Sequence, residues 1–156
     1  MTPAVESARA EMIDFDIHEY DHDAAVDNYG LEAAEAMGVP AGQVFKTLVV
    51  EGDSGAFAVG MVPVDAQLSL KAMAKAVGFK KAKMAGGADV ERVTGYVLGG
   101  VSPLGQKRRL PTVIDESVSR FDRIYVSAGK RGLEISLAPG DLQRLTAATR
   151  VAIASS

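Results

Sequence analysis

The residue type best placed for chemistry is a lysine inside an apolar run. Lys46 lies within Val44–Val50, whose other residues favour a strand. On a strand it shares a face with Leu48, because side chains alternate between the two faces. A lysine among apolar neighbours must reach water, pair with an anion or shift its pKa. Two interpretations stay open: an active-site lysine that meets a substrate phosphate or ester, and an edge lysine whose amine reaches solvent.

A second segment combines adjacent glycines with a basic run. Tyr96–Leu98 is predicted to be a short strand that leads into Gly99 and Gly100. Adjacent glycines let backbone N–H groups approach an oxyanion or a phosphate closely. The spacing fits neither a P-loop nor a Gly-x-Ser-x-Gly nucleophile elbow, so Ser102 is a weak nucleophile candidate. The alternative is a long turn whose solvated basic end is formed by Lys107, Arg108 and Arg109.

A third segment, residues 127–134, is predicted to form a hairpin. Two strand-like runs flank a turn that is bracketed by glycines and carries Lys130 and Arg131. Pairing of the two strands would bring Ser127 and Glu134 near each other across the hairpin. An ordinary surface hairpin with two solvated bases is the alternative.

The composition excludes several kinds of site. The chain contains no cysteine, which excludes disulfides, thiolate metal sites and a protein thiol nucleophile. His18 and His22 would lie about 13 Å apart on a strand, too far to share one metal ion. We therefore expect no metal and no cofactor. Aromatic residues make up 6% of the chain, too few for a base-stacking platform.

Charge is distributed unevenly along the chain. Residues 1–36 contain ten acidic residues and one arginine, so this part carries −9, and the rest of the chain carries +6. A weakly acidic protein can therefore present a basic surface to phosphates, although an ordinarily solvated surface is the alternative. The sequence shows no signal peptide and no run of about 20 apolar residues. We expect a cytoplasmic protein without membrane or DNA partners.

The hydrophobic pattern predicts helices and strands that interleave without strict alternation, which favours a mixed sheet with flanking helices. The length of 156 residues fits one domain that spans residues 1–156. Helices are predicted at residues 3–12, 28–37, 70–77, 89–93 and 139–148, with caps at Asn28 and Ser69. Strands are predicted at residues 15–20, 44–51, 56–62, 81–84, 112–114, 123–127 and 133–137.

Together these segments resemble the YbaK branch of the YbaK/prolyl-tRNA-synthetase-associated editing family. The resemblance runs nearly end to end without large insertions, and its order and length exclude chance as an explanation. It implies an α/β (α+β) fold with a mixed, partly barrel-like central β-sheet surrounded by helices. The motifs that carry it are Met1–Val5, His18-x-Tyr20-x-His22-Asp23, Phe45–Leu48, Thr94–Lys107 and Tyr125–Leu133.

The resemblance implies an enzyme that hydrolyses the ester between a wrong amino acid and tRNA, most of all Cys-tRNA(Pro) and also Cys-tRNA(Cys). A synthetase pocket discriminates poorly between amino acids of similar size, so a second, hydrolytic site removes the error. In the implied mechanism the substrate's own thiol attacks the ester carbonyl, while the protein supplies positioning and charge stabilisation. Lys46 is the implied catalytic residue, and N–H groups near Gly99 and Gly100 are expected to receive the oxyanion.

The same resemblance implies the other site residues. Relatives often carry Phe at the position of Tyr29, and some carry Asp at that of Glu134, so these two departures affect the fine substrate preference. The implied substrate-binding residues are Tyr20, Tyr29, Thr47, Gly99, Gly100, Ser127 and Glu134. The candidates for tRNA contact are Lys107, Arg108, Arg109, Lys130 and Arg131.

The expected partners are the 3′ acceptor end of aminoacyl-tRNA and, as the source of tRNA selectivity, prolyl-tRNA synthetase. Two alternatives stay open. One is a deacylase for another misacylated tRNA such as Ala-tRNA(Pro). The other is a non-catalytic module that binds tRNA or a synthetase, which would show salt-sensitive tRNA affinity without turnover.

Overall fold

Five helices and ten short strands make up the computed structural model, which describes residues 2–23 and 28–155. The helices are α1 (Pro3–Ala10), α2 (Tyr29–Met37), α3 (Leu70–Val77), α4 (Gly87–Thr94) and α5 (Pro139–Thr146). The strands are β1 (Phe15–Glu19), β2 (Phe45–Gly52), β3 (Phe57–Pro63), β4 (Gln67–Leu68), β5 (Ala82–Met84), β6 (Thr112–Asp115), β7 (Ile124–Lys130), β8 (Leu133–Leu137), β9 (Thr149–Val151) and β10 (Ala154–Ser155).

The helices begin and end where their capping residues indicate. The Asn28 carboxamide accepts the N–H of Leu31 at 3.1 Å, and the Ser69 hydroxyl accepts the N–H of Ala72 at the same distance. Gly38 and Gly78 end α2 and α3 in the left-handed conformation, at φ 68° and 80°. Both predicted caps are therefore confirmed. None of the helices in the described ranges has the length and apolarity to span a bilayer.

The strands form a mixed five-stranded sheet and a smaller antiparallel one. The larger sheet has the order β5-β2-β3-β6-β9, with β3, β6 and β9 parallel and the other neighbours antiparallel. The smaller sheet has the order β1-β8-β7, and β10 pairs with β4. A parallel bridge between Val44 and Tyr125 joins the start of β2 to β7. This junction gives the central sheet its partly barrel-like form, which confirms the expected fold class.

The hydrophobic core lies between these two sheets, and a second apolar cluster lies under α3. On β2, Phe45 and Val49 face the main core, whereas Leu48 and Val50 pack in the cluster with Met73 of α3. The predicted alternation of β2 is therefore correct. Because both faces of β2 contact apolar layers, the lysine in this strand lies within a largely apolar wall.

The segment Tyr96–Leu98 departs from its prediction as a strand. Gly95 ends α4 at φ 85° and Gly99 turns the chain again at φ 92°, so left-handed turns bound these three residues on both sides. Only Tyr96 enters the core, where its hydroxyl donates to the Leu104 carbonyl at 2.6 Å. Burial of this phenol raises its pKa to about 12. The apolar segment that resembled a strand thus consists of one anchored tyrosine and two exposed apolar side chains.

Candidate active site

A cavity of about 490 Å³ opens where the two sheets separate. The bridge between Val44 and Tyr125 holds β2 and β7 together at one point, and beyond it the strands diverge. Their residues, with α2 and the glycine loop, form the cavity wall, and its volume is typical of small-ligand sites. Seven of the eight predicted catalytic and substrate-binding residues line it: Tyr20, Tyr29, Lys46, Thr47, Gly99, Ser127 and Glu134.

Lys46 faces this cavity from β2 with its ammonium group unpaired. It lies opposite Val62 of β3, and the described residues offer it no ion pair within 4.0 Å. Burial disfavours the charged form and lowers its pKa, an effect that the carboxylate of Asp65 partly opposes. An anionic ligand in the cavity would supply the missing partner.

Thr47 contributes a hydroxyl group without a partner. Its side chain is only 9% exposed, and no described residue donates to or accepts from its Oγ1. Buried polar atoms are almost always hydrogen-bonded, so this orphan hydroxyl is an unusual feature of a residue in the cavity wall.

Glu134 is the second ionisable group of the cavity, and it lies opposite Ser127 in the β7–β8 hairpin, as predicted. The side chain is 6% exposed, and burial raises its pKa to about 8. No described residue forms an ion pair with this carboxyl group. Tyr20 lies nearby, and burial together with the Glu134 carboxylate raises the pKa of its phenol. Glu134 is therefore mostly protonated at pH 7 until a ligand changes its surroundings.

The ring of Tyr29 is held between the glycine loop and an arginine. A Cβ atom at Gly99 would lie 2.6 Å from this ring, so only glycine fits there. On the other side, the guanidinium carbon of Arg131 lies 4.1 Å from the ring centroid. Arg131 also forms a half-buried ion pair of 3.1 Å with Glu32, one helical turn after Tyr29. Glu32 was not among the predicted site residues, and its i,i+3 spacing from Tyr29 was the available signal.

Gly100 lies behind the cavity wall rather than on it. Its N–H donates to the Val97 carbonyl at 3.0 Å, and a Cβ atom there would lie 2.8 Å from the Cα of Lys130. This N–H is therefore already used in a turn, and an oxyanion site at N–H groups near Gly99 and Gly100 stays a prediction. Ser102 is fully buried and its hydroxyl accepts the N–H of Leu104, which fits a structural role.

The candidates for tRNA contact occupy different environments. Lys107, Arg108 and Arg109 are exposed but do not line the cavity. The backbone N–H of Lys107 donates to a carbonyl at the end of α4, and the guanidinium of Arg109 donates to the Leu145 carbonyl. Lys130 is exposed on the hairpin, whereas Arg131 is engaged with Tyr29 and Glu32. Their contact with tRNA stays a prediction.

The two histidines take up separate positions on and after β1. His18 Nε2 lies 2.9 Å from the Ser136 hydroxyl, and its ring contacts that of Tyr125 at 5.2 Å between centroids. His22 lies beside Gly132. Across residues 2–23 and 28–155, no three His, Asp or Glu side chains are grouped so that they could hold a metal ion.

Comparison with known proteins gives the family. The family model described as aminoacyl-tRNA editing domain matches residues 25–145. EbsC of Enterococcus faecalis, provisionally named a Cys-tRNA(Pro)/Cys-tRNA(Cys) deacylase, is 42% identical over 82% of this chain and 79% of its own. The multifunctional Ser/Thr-tRNA deacylase ProXp-y of Escherichia coli K12 is 30% identical over 72% of this chain and 70% of its own.

A solved structure agrees with this assignment. A protein described provisionally as a trans-editing enzyme for prolyl-tRNA synthetase superimposes with a TM-score of 0.84. The superposition covers 98% of this chain and 93% of that protein, at 26% sequence identity. The fold, the composition of the cavity and the family match therefore agree, and the chain belongs to the aminoacyl-tRNA editing domain family.

Proposed function

We propose that this protein deacylates mischarged aminoacyl-tRNA and that its preferred substrate is Cys-tRNA(Pro), with Cys-tRNA(Cys) as a related one. The observation that carries the proposal is a cavity of about 490 Å³ with an unpaired lysine and an unpaired, buried carboxyl group in its wall. The 3′ end of an aminoacyl-tRNA presents matching groups, namely a phosphate, an ester carbonyl and an α-amino group. The family and the name of the 42%-identical relative support this choice.

The reaction needs no nucleophile from the protein. The cysteine thiol of the substrate attacks its own ester carbonyl, the new C–S bond closes a thiolactone, and the C–O bond to the ribose breaks. The thiol proton passes to the ribose oxygen that leaves, so atoms and charge balance. Lys46 binds the terminal phosphate or polarises the carbonyl, and the enclosed cavity fixes the thiol near the carbonyl carbon. This pathway is compatible with a chain that contains no cysteine.

The polar groups opposite the lysine orient the amino acid. The hydroxyl of Thr47 lacks a described partner beside the cavity, and its proposed partner is the ester or the amino group of the substrate. Glu134 ionises when a substrate ammonium group binds beside it, because an opposite charge offsets the desolvation that raises its pKa. Prolyl-tRNA synthetase is the proposed source of tRNA selectivity, as the description of the solved structural relative suggests.

The test compares deacylation of Cys-, Ala-, Ser- and Pro-tRNA(Pro) by the wild type, Lys46→Ala and Lys46→Arg. We expect rapid loss of cysteine and a fall of about 10²- to 10³-fold in kcat/KM for Lys46→Ala. Arg120→Ala removes an exposed cation that does not line the cavity and serves as the control, with an unchanged rate. Full activity of Lys46→Ala would contradict the catalytic assignment.

Two other outcomes would select the alternatives. Activity on alanine or serine instead of cysteine would keep the reaction and change the substrate. The name of the Escherichia coli relative favours a hydroxylated amino acid as that second candidate. Salt-sensitive tRNA binding without turnover of any substrate would show a binding module and refute the enzymatic proposal.

A further inference from the structure

The charged side chains on α3, on β5 and on the segment between them are all lysines. Between Asp65 and Asp89 the sequence contains five lysines and no acidic residue. All five are exposed. We call this region the lysine surface, and its members are Lys71, Lys75, Lys80, Lys81 and Lys83.

The protein itself neutralises little of this charge. Glu51 lies 3.9 Å from Lys83, in a pair whose lysine side chain is 76% exposed. Asp53 accepts the backbone N–H groups of Lys80 and Lys81, at 3.1 Å and 3.4 Å, and thereby fixes the turn that presents them. The other four lysines form no ion pair with any described residue. An anionic partner is therefore missing from the protein.

The fold places these lysines on one side of the protein. Lys71 and Lys75 are four residues apart on α3 and project from the same face, while Met73 on the other face is fully buried. Gly78 reverses the chain at φ 80°, and the ring of Phe79 packs against Gly52. Lys80 and Lys81 then follow directly. An open groove of about 710 Å³ runs between α3 and this segment, lined by four of the five lysines.

The lysine surface is connected to the cavity through one shared side chain. Leu48 lines the cavity, and it also packs in the apolar cluster beneath α3 with Leu68 and Leu70. Lys46 and Leu48 lie on the same face of β2, so the cavity lysine and α3 lie on the same side of the larger sheet. A nucleic acid whose 3′ end enters the cavity could therefore extend over α3.

We propose that the lysine surface binds the sugar–phosphate backbone of the tRNA whose aminoacylated 3′ end occupies the cavity, an inference that rests on the proposed function. Lysines supply flexible point charges, which suit contact with a phosphate backbone rather than recognition of bases. Arg131, by contrast, is held in its ion pair with Glu32, and the guanidinium of Arg109 donates to the Leu145 carbonyl. Charge complementarity thus favours α3 as the main contact.

The experiment measures tRNA affinity over a salt series, together with KM and kcat on Cys-tRNA(Pro). In the quadruple variant Lys71→Gln/Lys75→Gln/Lys80→Gln/Lys81→Gln, we expect affinity to fall at least about tenfold at low salt. The slope of log K against log salt should become shallower by about 3 to 4, because each phosphate contact contributes about one unit. The kcat should not change, and neither should deacylation of a cysteinyl ester of the CCA trinucleotide.

A matched pair separates local contact from net charge. Lys71→Gln/Lys75→Gln and Arg9→Gln/Arg120→Gln each remove two exposed positive charges. Only the lysine pair should raise KM for full-length tRNA, by about three- to tenfold, and only that pair should lower the salt slope, by about 2. Equal effects of the two pairs would overturn the proposal.

The outcomes also distinguish this proposal from the enzymatic one. If the wild type binds tRNA but hydrolyses no ester, the proposed function fails, and the affinity of the quadruple variant still decides the role of the lysine surface. Unchanged tRNA affinity and salt slope in a quadruple variant with a normal thermal unfolding midpoint would refute the tRNA contact. Such a result would indicate that the lysine surface binds an acidic protein instead of tRNA.

Discussion

Two buried carboxyl groups in this protein behave in opposite ways. Asp115 is 5% exposed at the end of β6, and Glu134 is 6% exposed on β8. Burial alone would raise the pKa of Asp115, but hydrogen bonds from Ser117, Ala154 and Ile153 lower it below its ordinary value. None of the described residues donates to Glu134 in this way, and burial raises its pKa to about 8. The chain therefore supplies donors to one carboxylate, whereas the other faces the cavity.

The difference separates a structural group from a functional one. The carboxylate of Asp115 accepts the N–H groups of Ile153 at 3.0 Å and Ala154 at 2.9 Å and so fastens the C-terminal segment to the sheet. Glu134 contributes nothing comparable to the fold and costs stability when it ionises. A carboxyl group without such donors in a cavity wall is a candidate for a functional role, which is the role proposed for Glu134 above.

The largest effect expected from a single substitution at pH 7 comes from removing the satisfied carboxylate. Asp115→Ala leaves three backbone N–H groups without an acceptor, so we expect the free energy of unfolding to fall by about 3 kcal/mol. Urea denaturation measures this loss, and Asp122→Ala at an exposed position should change it by less than about 0.5 kcal/mol. The kcat and KM of the folded variant should equal those of the wild type, since Asp115 does not line the cavity. A comparable loss in Asp122→Ala would break the contrast.

The second prediction concerns the pH dependence that Glu134 introduces. Its pKa rises from an ordinary 4.5 to about 8 on folding, so the folded state retains a proton that the unfolded state releases between these values. Stability therefore falls as pH rises from about 4.5 to 8, by on the order of 1 kcal/mol per pH unit, and is level above 8. Glu134→Gln should abolish this fall and exceed the wild type in stability at pH 8, while kcat/KM for Cys-tRNA(Pro) decreases.

The control for this prediction is Glu91→Gln, which alters an exposed carboxylate. Between pH 5 and pH 8, the free energy of unfolding of this variant should fall with rising pH as steeply as that of the wild type. Parallel pH profiles for Glu134→Gln and the wild type would show that Glu134 is already ionised in the free protein and would remove the contrast with Asp115.

The smallest expected effect comes from two threonines that are equally buried. Thr47 and Thr146 are each 9% exposed, but only Thr146 has a partner, the Leu142 carbonyl at 2.8 Å. Thr47→Val should stabilise the protein by about 1 kcal/mol and lower kcat/KM, because an unsatisfied hydroxyl is removed. Thr146→Val should destabilise it by a similar amount and leave kcat/KM unchanged. Thermal unfolding and the deacylation assay measure both, and destabilisation by Thr47→Val would contradict an orphaned hydroxyl.

Local patterns were sufficient to predict much of the fold and one part of the site. The caps at Asn28 and Ser69 depend on residues three positions apart, and the pairing of Ser127 with Glu134 depends on a short hairpin. Such features are determined by neighbours in sequence, so they can be predicted without the tertiary structure. The cavity lysine was recognisable because a charged residue interrupts an apolar strand.

The remaining features depend on distant contacts that no pattern shows. The ion pair of Arg131 joins residues 99 positions apart, and the role of Gly100 depends on the hairpin that packs behind it. The failed strand at Tyr96–Leu98 has a nearer cause, because a hydrogen bond to Leu104 and turns at the two flanking glycines decide the conformation. The lysine surface was visible as a run without acids, but only the orientation of α3 shows that its charges share one side.

The separation of charge gives the molecule an electric dipole that acts before any contact forms. The acidic residues of β1 lie on the smaller sheet, whereas α3 covers the outer side of the larger sheet, across the core. A polyanion that approaches at random experiences a torque, since one side repels it and the other attracts it. Encounters are thereby oriented at distances up to the Debye length of about 10 Å at 0.1 M salt. In the proposed tRNA complex, this asymmetry would favour the approach that brings the lysine surface to the polyanion first.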